Sequence, residues 1–196
     1  MGVGTRKLVD RYPRRHQFTE ADFDRMAEAG ILDEGAGFEL IDGDILEMSP
    51  ENDRHAEVVD RLTGLFYRSI RESSGLQIRP MHPLTGLAPH WQPQPDLVLQ
   101  RGSIRHRPTR DETVLVIEVA DTTRRFDRRV KLPAYAKAGI PEVWLVDLTR
   151  DELVMCRRPE GGTYQEVWAR GRGETVAPEA LAELRLSVDE ILGDPE

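Results

Sequence analysis

The chain has 196 residues, with 27 Lys and Arg against 35 Asp and Glu, which gives a formal net charge of −8 at pH 7. This length favours one domain with a substantial core, and no apolar run approaches the roughly 20 residues of a membrane-spanning helix, so we expect no membrane partner. Cys156 is the only cysteine and no apolar signal segment follows the basic N-terminus, which together predict a cytoplasmic protein without an internal disulfide.

The chain is expected to begin with a segment, residues 1–17, that is loosely ordered, followed by a single domain over residues 18–196. A helix starts cleanly within that domain. Thr19 is a suitable N-cap and Asp22 takes the third helical position, while Gly30 provides the stop.

A hairpin and a long helix come next. Phe38–Met48 contains Asp42-Gly43 between two strand-like runs, which is a strong signal for a two-residue turn. Residues 52–72 have helical spacing of apolar side chains. His55 lies on that apolar stripe, so we interpret it as a buried, hydrogen-bonded core histidine in preference to a catalytic one.

Two shorter strands are predicted in the middle of the chain. Leu76–Leu87 reads as a strand with a turn, interrupted by prolines, and Leu97–Leu99 reads as a short strand. Asp96 comes directly before the second of these, where an aspartate can simply close a turn.

The segment from Val114 to Leu148 predicts a strand, a helix and a second strand. Val114–Val119 is almost continuously apolar, as in strands covered on both faces, yet it contains Glu118. The helix over Asp127–Ala138 contains Pro133, which either kinks it or marks a start near Leu132. With Val143–Val146 as the second strand, the pattern predicts a right-handed βαβ unit with parallel strands.

The C-terminal part predicts two antiparallel strands and a last helix. Leu153–Arg157 and Tyr164–Ala169 flank a glycine turn, and Ser187 with Glu190 has capping-box spacing. The fold class is therefore α/β, with a mixed sheet, flanking helices and an N-terminal helix and hairpin.

Three acidic residues, Glu39, Asp96 and Glu118, lie within or beside predicted strands. Carboxylates of this kind are ligands for Mg²⁺ or Mn²⁺. The spacing alone is weak evidence, because acidic residues at strand ends are common; Glu118 differs because its neighbours predict burial, which a lone carboxylate does not tolerate. No zinc, P-loop, dinucleotide or nucleophile-elbow motif is present.

Several ordered blocks together resemble the Uma2 family of endonucleases, whose fold is that of the PD-(D/E)XK restriction-endonuclease superfamily. The resemblance covers about Phe18 to Leu148. The blocks are Phe38–Gly43, Met48–Pro50 with His55, Pro93–Asp96, Ile117–Asp121, Asp127–Lys131 and Tyr135–Trp144.

The resemblance implies a metal-dependent DNA endonuclease that uses Mg²⁺ or Mn²⁺. It implies that Asp96, Glu118 and Val119 hold the metal and that Glu39 is an additional acid of the site. The alternative is a catalytically silent nuclease-like fold that binds nucleic acid or protein; a phosphoesterase for small substrates is a third possibility.

The motif lysine is displaced in this sequence. Two residues after Glu118 stands Ala120, and the resemblance implies that Lys131, on the following helix, is the catalytic lysine.

Two arginine-rich clusters are predicted in loops, one around Arg105 and one around Arg124. Each is either a solvated loop or a phosphate-contacting surface. We also expect a homodimer, since nucleases of this fold often pair and symmetric dimers are the commonest soluble oligomers.

Overall fold

The computed structural model describes residues 14–33, 36–49, 52–70, 74–121 and 123–194. Its centre is a six-stranded sheet in the order β3-β4-β5-β6-β7-β8. Only β5 and β6 are parallel in this sheet. The strands are β3 (Leu76–Pro80), β4 (Leu97–Arg101), β5 (Thr113–Ala120), β6 (Glu142–Asp147), β7 (Glu152–Glu160) and β8 (Thr163–Gly171).

The parallel pair is joined by the predicted crossover helix, which has three consecutive parts. These are α3 (Arg124–Phe126), a π-helical turn (Asp127–Lys131) and α4 (Leu132–Ala138). Pro133 is the second residue of α4 and follows the π turn directly, so helical structure continues on both sides of it. The N–H of Leu132 reaches back to the carbonyl of Asp127, the wider spacing of a π turn.

The sheet is covered on both faces. On one face packs α2 (Asp53–Ser69) with the last helix α5 (Val188–Leu192); Leu62 and Trp144 belong to this cluster. On the other face Tyr135 and Ala136 of α4, with Ile140 directly after the helix, pack against residues of β5 to β7. Continuous burial of β5 and β6 therefore follows from having helices on both sides.

The predicted N-terminal helix and hairpin are present. In α1 (Glu20–Glu28) Thr19 and Asp22 cap each other reciprocally. The hairpin consists of β1 (Phe38–Ile41) and β2 (Asp44–Glu47). Leu40 and Gln92 exchange two backbone hydrogen bonds, which attach the hairpin to the segment that leads into β4. This attachment carries residue 39 towards the central sheet.

Several boundaries differ from the sequence prediction. The strand predicted over residues 76–87 ends at Pro80, and α2 ends at Ser69; residue 72, where it was expected to end, lies outside the described residues. A short pair of strands, β9 (Thr175–Val176) and β10 (Leu186–Ser187), precedes the capping box of α5. Of the expected loose segment, residues 1–13 also lie outside the described part. No helix within the described residues is long and apolar enough to cross a membrane.

The hairpin turn should depend on Gly43. Its φ is +81°, and a Cβ added there would lie 2.5 Å from the Cβ of Gln17. We expect Gly43→Ala to destabilise the protein by more than about 1 kcal/mol, because left-handed strain and a steric clash add. Thermal unfolding checks this. Gly161→Ala is the control, since its φ is +59° but nothing lies within 4 Å of the added Cβ; an equal loss in both variants would mean that the clash is relieved without cost.

Candidate active site

A cleft of about 610 Å³ opens between the hairpin, the start of α2 and the crossover helix. Glu39, Asp96, Glu118, Val119 and Lys131, the five residues implied by the sequence resemblance, all line it. The structure thus brings together residues that lie as far apart as 92 positions in the chain. The hairpin contributes the first acid, the ends of β4 and β5 contribute the middle three residues, and the π turn contributes the lysine.

The ammonium of Lys131 bridges two of the carboxylates. Its Nζ lies 2.9 Å from Oε1 of Glu39 and 3.4 Å from the carboxylate of Glu118. All three side chains are almost completely buried. The backbone N–H of Gln94 also donates to Oε1 of Glu39 at 3.0 Å. The lysine therefore connects the hairpin to the central sheet.

The site lies on the face of the sheet that the crossover helix covers. Glu118 and Ala120 share one face of β5, because side chains alternate along a strand. Ala120 is fully buried in the same apolar cluster as Tyr135. Position 120 carries no lysine, and the ammonium on this face of the sheet comes from Lys131 on the crossover helix.

Asp96 is fixed by two contacts from different elements. Its Oδ2 accepts a hydrogen bond from the backbone N–H of Val119 at 2.5 Å. Its Oδ1 lies 3.2 Å from Nε2 of His55 in the first turn of α2. His55 is buried as expected, but it faces the acidic cleft in addition to belonging to the helix stripe. The side chain of Val119 is apolar, so only its main-chain carbonyl could serve as a ligand.

Two residues of the site were missed in the sequence. The hydroxyl of Tyr135 donates to Oε1 of Glu118 at 2.6 Å, and the carboxylate of Asp127 lies 4.0 Å from Nζ of Lys131. Asp127, Lys131 and Tyr135 follow one another at intervals of four residues. That spacing places side chains on one helix face and was the available signal.

Four carboxylates share this pocket with one ammonium. Burial raises the pKa of Glu118 well above its usual value, opposed by Lys131 and reinforced by Asp127, Asp96 and Glu39. Burial likewise raises the pKa of Asp127 to about 6. Burial lowers the pKa of Lys131, but the attraction of Glu118, Glu39 and Asp127 outweighs it, so the net pKa is raised. The lysine stays charged, and the surplus of acid favours a proton or a further cation.

The donor set fits a hard divalent cation. Carboxylate oxygens are the usual ligands of Mg²⁺ and Mn²⁺, and Oε2 of Glu39 is buried without a hydrogen-bond partner. Within the described residues, however, no three His, Cys, Asp or Glu side chains already converge at metal-binding distance. Oxygens that would face a metal are instead held by the lysine, the tyrosine and backbone N–H groups.

No arginine lines the cleft within the described chain. Arg124 pairs with the buried Asp147, and Arg107 pairs with Asp24. Arg125, Arg128 and Arg129 are exposed, but they do not border the cleft. The two arginine clusters therefore do not form the walls around the four carboxylates.

Comparison with known proteins agrees with this arrangement. The sequence profile of the Uma2 family, described as "Putative restriction endonuclease", matches residues 21–189. A solved structure with a similar fold is described as a putative nuclease belonging to DUF820 from Anabaena variabilis. The two share 16% identity with a TM-score of 0.69, covering 89% of this chain and 97% of the other. This likeness confirms the expected fold class. No curated protein matches the chain.

Replacing Lys131 by methionine should destabilise the protein in a pH-dependent way, because it removes the positive charge among the buried carboxylates. Removing one partner of a buried ion pair costs about 3–5 kcal/mol. Burial already raises the pKa values of Glu118 and Asp127, and Lys131 opposes that shift. Without the ammonium these two values lie still further above the unfolded value of about 4, so the loss should grow as the pH rises from 4 to 8. Chemical denaturation at several pH values measures this. Lys137→Met, at an exposed position of the same helix, is the control, and a loss that is equal at pH 4 and pH 8 would contradict the prediction.

Proposed function

Since this chain belongs to the Uma2 family, we propose that it is a metal-dependent endonuclease that hydrolyses phosphodiester bonds in DNA. The observation that carries the proposal is the buried contact of Lys131 with Glu39 and Glu118 beside Asp96, in an open cleft. A buried acidic cluster with strongly shifted pKa values is more typical of a catalytic site than of a structural core.

Asp96, Glu118 and the main-chain carbonyl of Val119 would hold Mg²⁺ or Mn²⁺, with Glu39 as an additional acid. When bound, such an ion polarises a phosphoryl oxygen and lowers the pKa of a coordinated water. Lys131 places a fixed positive charge beside the position where negative charge develops in the transition state. Its raised pKa keeps that charge present across the neutral range.

Other side chains position the ligands. The hydroxyl of Tyr135 donates to Glu118 and stays protonated, because burial and the neighbouring Glu118 raise the pKa of Tyr135 well above its usual value. His55 and the N–H of Val119 contact different oxygens of Asp96. These contacts fix the carboxylates before substrate arrives, which reduces the reorganisation needed in the reaction.

The alternative, a silent nuclease-like fold used only for binding, has less support. Such a module would have no need for a buried lysine among four acids, because burying charges costs more free energy than packing apolar side chains of similar size. A phosphoesterase for small substrates shares the same chemistry, and the choice of DNA rests on the family.

We expect the purified protein to cleave DNA with Mg²⁺ or Mn²⁺ and to be inactive in EDTA. Glu118→Gln should lower the rate by at least about 100-fold, because it removes a metal ligand while keeping the shape of the side chain. Gel analysis of plasmid and oligonucleotide substrates measures this. Glu160→Gln, at an exposed position outside the cleft, is the matched control.

Calorimetric titration with Mn²⁺ separates catalysis from binding. The native protein should bind Mn²⁺ and Glu118→Gln should bind it much more weakly. Metal-independent cleavage, or full activity of the variant, would refute the proposed mechanism.

A homodimer stays a prediction. The expected pair is symmetric, so each copy would contribute one cleft of its own. Light scattering at micromolar concentration should give twice the monomer mass of 22.3 kDa. A monomeric mass over the working concentration range would exclude the pair and leave the chemistry of the single site unaffected.

A further inference from the structure

The cleft has a composition that is unusual for a site that receives a polyanion. Six acidic residues border it, Lys131 is its one lysine, and no arginine borders it in the described part of the chain. The acids are Glu39, Glu47, Asp96, Glu118, Asp121 and Asp127. Duplex DNA carries one charge per about 1.7 Å of its axis, which normally requires several Lys and Arg contacts.

Met81 is a large apolar side chain among these charged residues of the cleft. It lines the cleft, and its relative exposure is 38% although its side chain is large and apolar. Phe38 and Met48 of the hairpin segment also line the cleft and are half-buried. The cleft therefore offers apolar contacts next to the acidic cluster.

The backbone holds Met81 in an unfavourable conformation. Its φ is +51°, and of the four non-glycine residues with positive φ in the described chain it alone has an apolar side chain. Its N–H donates to the carbonyl of Asp96 at 2.8 Å. Left-handed conformations of bulky residues cost free energy and are concentrated at functional sites. This hydrogen bond fixes the backbone of Met81 beside Asp96, the proposed metal ligand.

We propose that the substrate of this cleft is an unpaired DNA strand, and that Met81 packs against a base next to the scissile phosphate. The inference rests on the proposed nuclease function. In a duplex the faces of the bases are stacked on their neighbours, so an apolar side chain reaches them only by separating a base step, which costs free energy. An unpaired base can be turned out into a pocket and packed against apolar side chains.

Size and charge support the same assignment. A volume of about 610 Å³ falls within the range of pockets that hold small ligands, so the cleft has room for a base that has left its stack. Single strands also have a lower charge density than duplexes, so a wall of acids repels them less. Contacts to the base can then supply affinity that the missing arginines do not.

The test compares one strand in two states. A dye-labelled oligothymidylate of about 12 nucleotides is titrated with the full-length protein in Ca²⁺, either free or annealed to its oligoadenylate complement, and anisotropy reports binding. We expect the free strand to bind at least about tenfold more tightly than the duplex. Its affinity should fall less than about tenfold between 50 and 200 mM salt, because few phosphates are contacted.

Met81→Ala should weaken binding of the free strand by roughly fivefold or more, since an apolar contact to a base is lost. In Mg²⁺ or Mn²⁺ the same variant should raise KM for the free strand and leave kcat within about twofold, as expected for a contact made equally before and in the transition state. Val167→Ala, an exposed apolar position on β8 outside the cleft, is the control and should match the native protein. Circular dichroism and thermal unfolding show whether both variants are folded.

The outcomes separate this inference from the proposed function. Equal or tighter binding of the duplex, no binding of either form, or native affinity in Met81→Ala would each overturn the assignment of an unpaired strand. If the free strand is preferred and Met81→Ala weakens its binding, but neither form is cut with any divalent cation, the cleft binds an unpaired strand through Met81 and the proposed catalytic activity fails.

Discussion

The ammonium of Lys131 determines how the two parts of this structure meet. Glu39 belongs to a two-stranded hairpin and Glu118 to the central sheet, and the lysine contacts both. Two buried carboxylates repel each other unless a positive charge or a proton lies between them. In this structure the ammonium of Lys131 takes that place, so the packing of the hairpin against the central sheet depends on it.

Such an arrangement is poorly suited to stability alone. Taking charges out of water costs several kcal/mol per ion, and apolar side chains of the same volume often pack as well or better. Here the free-energy cost of burial is larger, because Asp96 and Asp127 add further negative charge near one ammonium. The same imbalance makes the pocket attractive to a divalent cation. A protein that accepts this loss of stability fits a site in which a bound cation neutralises the remaining negative charge of the carboxylates.

The sequence was most informative where the polarity of a residue differed from that of its neighbours. Glu118 lies in an apolar strand, so its burial and its need for a partner followed directly from the pattern. The hairpin turn was equally clear from Asp42-Gly43. The contact made by His55 was harder to predict. The apolar stripe of α2 does not reveal that the first turn of this helix projects beyond the sheet into the cleft. Its contact with Asp96 depends on tertiary packing, which helical periodicity does not contain.

The crossover helix illustrates a different limit. Because of Pro133, the sequence allowed two start positions for the helix, Asp127 or a residue near Leu132. The structure has a π turn directly before α4, so the helical segment includes both positions. A π turn changes which side chains share a face, and no local pattern in Asp127–Lys131 distinguishes it from an α-helix. The four-residue spacing of Asp127, Lys131 and Tyr135 was present in the sequence, but it does not reveal that the helix face they share lies over Glu118. The catalytic role expected of Lys131 came only from the family resemblance.

The displacement of the lysine has a physical explanation in the packing of that helix. Position 120 lies on the same face of β5 as Glu118, so a lysine there could reach the acid along the strand. Ala120 is fully buried beside Tyr135 and Ala136, and its small side chain lets the helix approach closely. Close approach is what allows the stem of Lys131 to extend across apolar surface and bring its ammonium to Glu118. A long side chain at position 120 would occupy the volume that the helix now fills. The small residue on the strand and the lysine on the helix therefore fit together, because Ala120 leaves room for the helix and Lys131 brings the ammonium to the same face of the sheet.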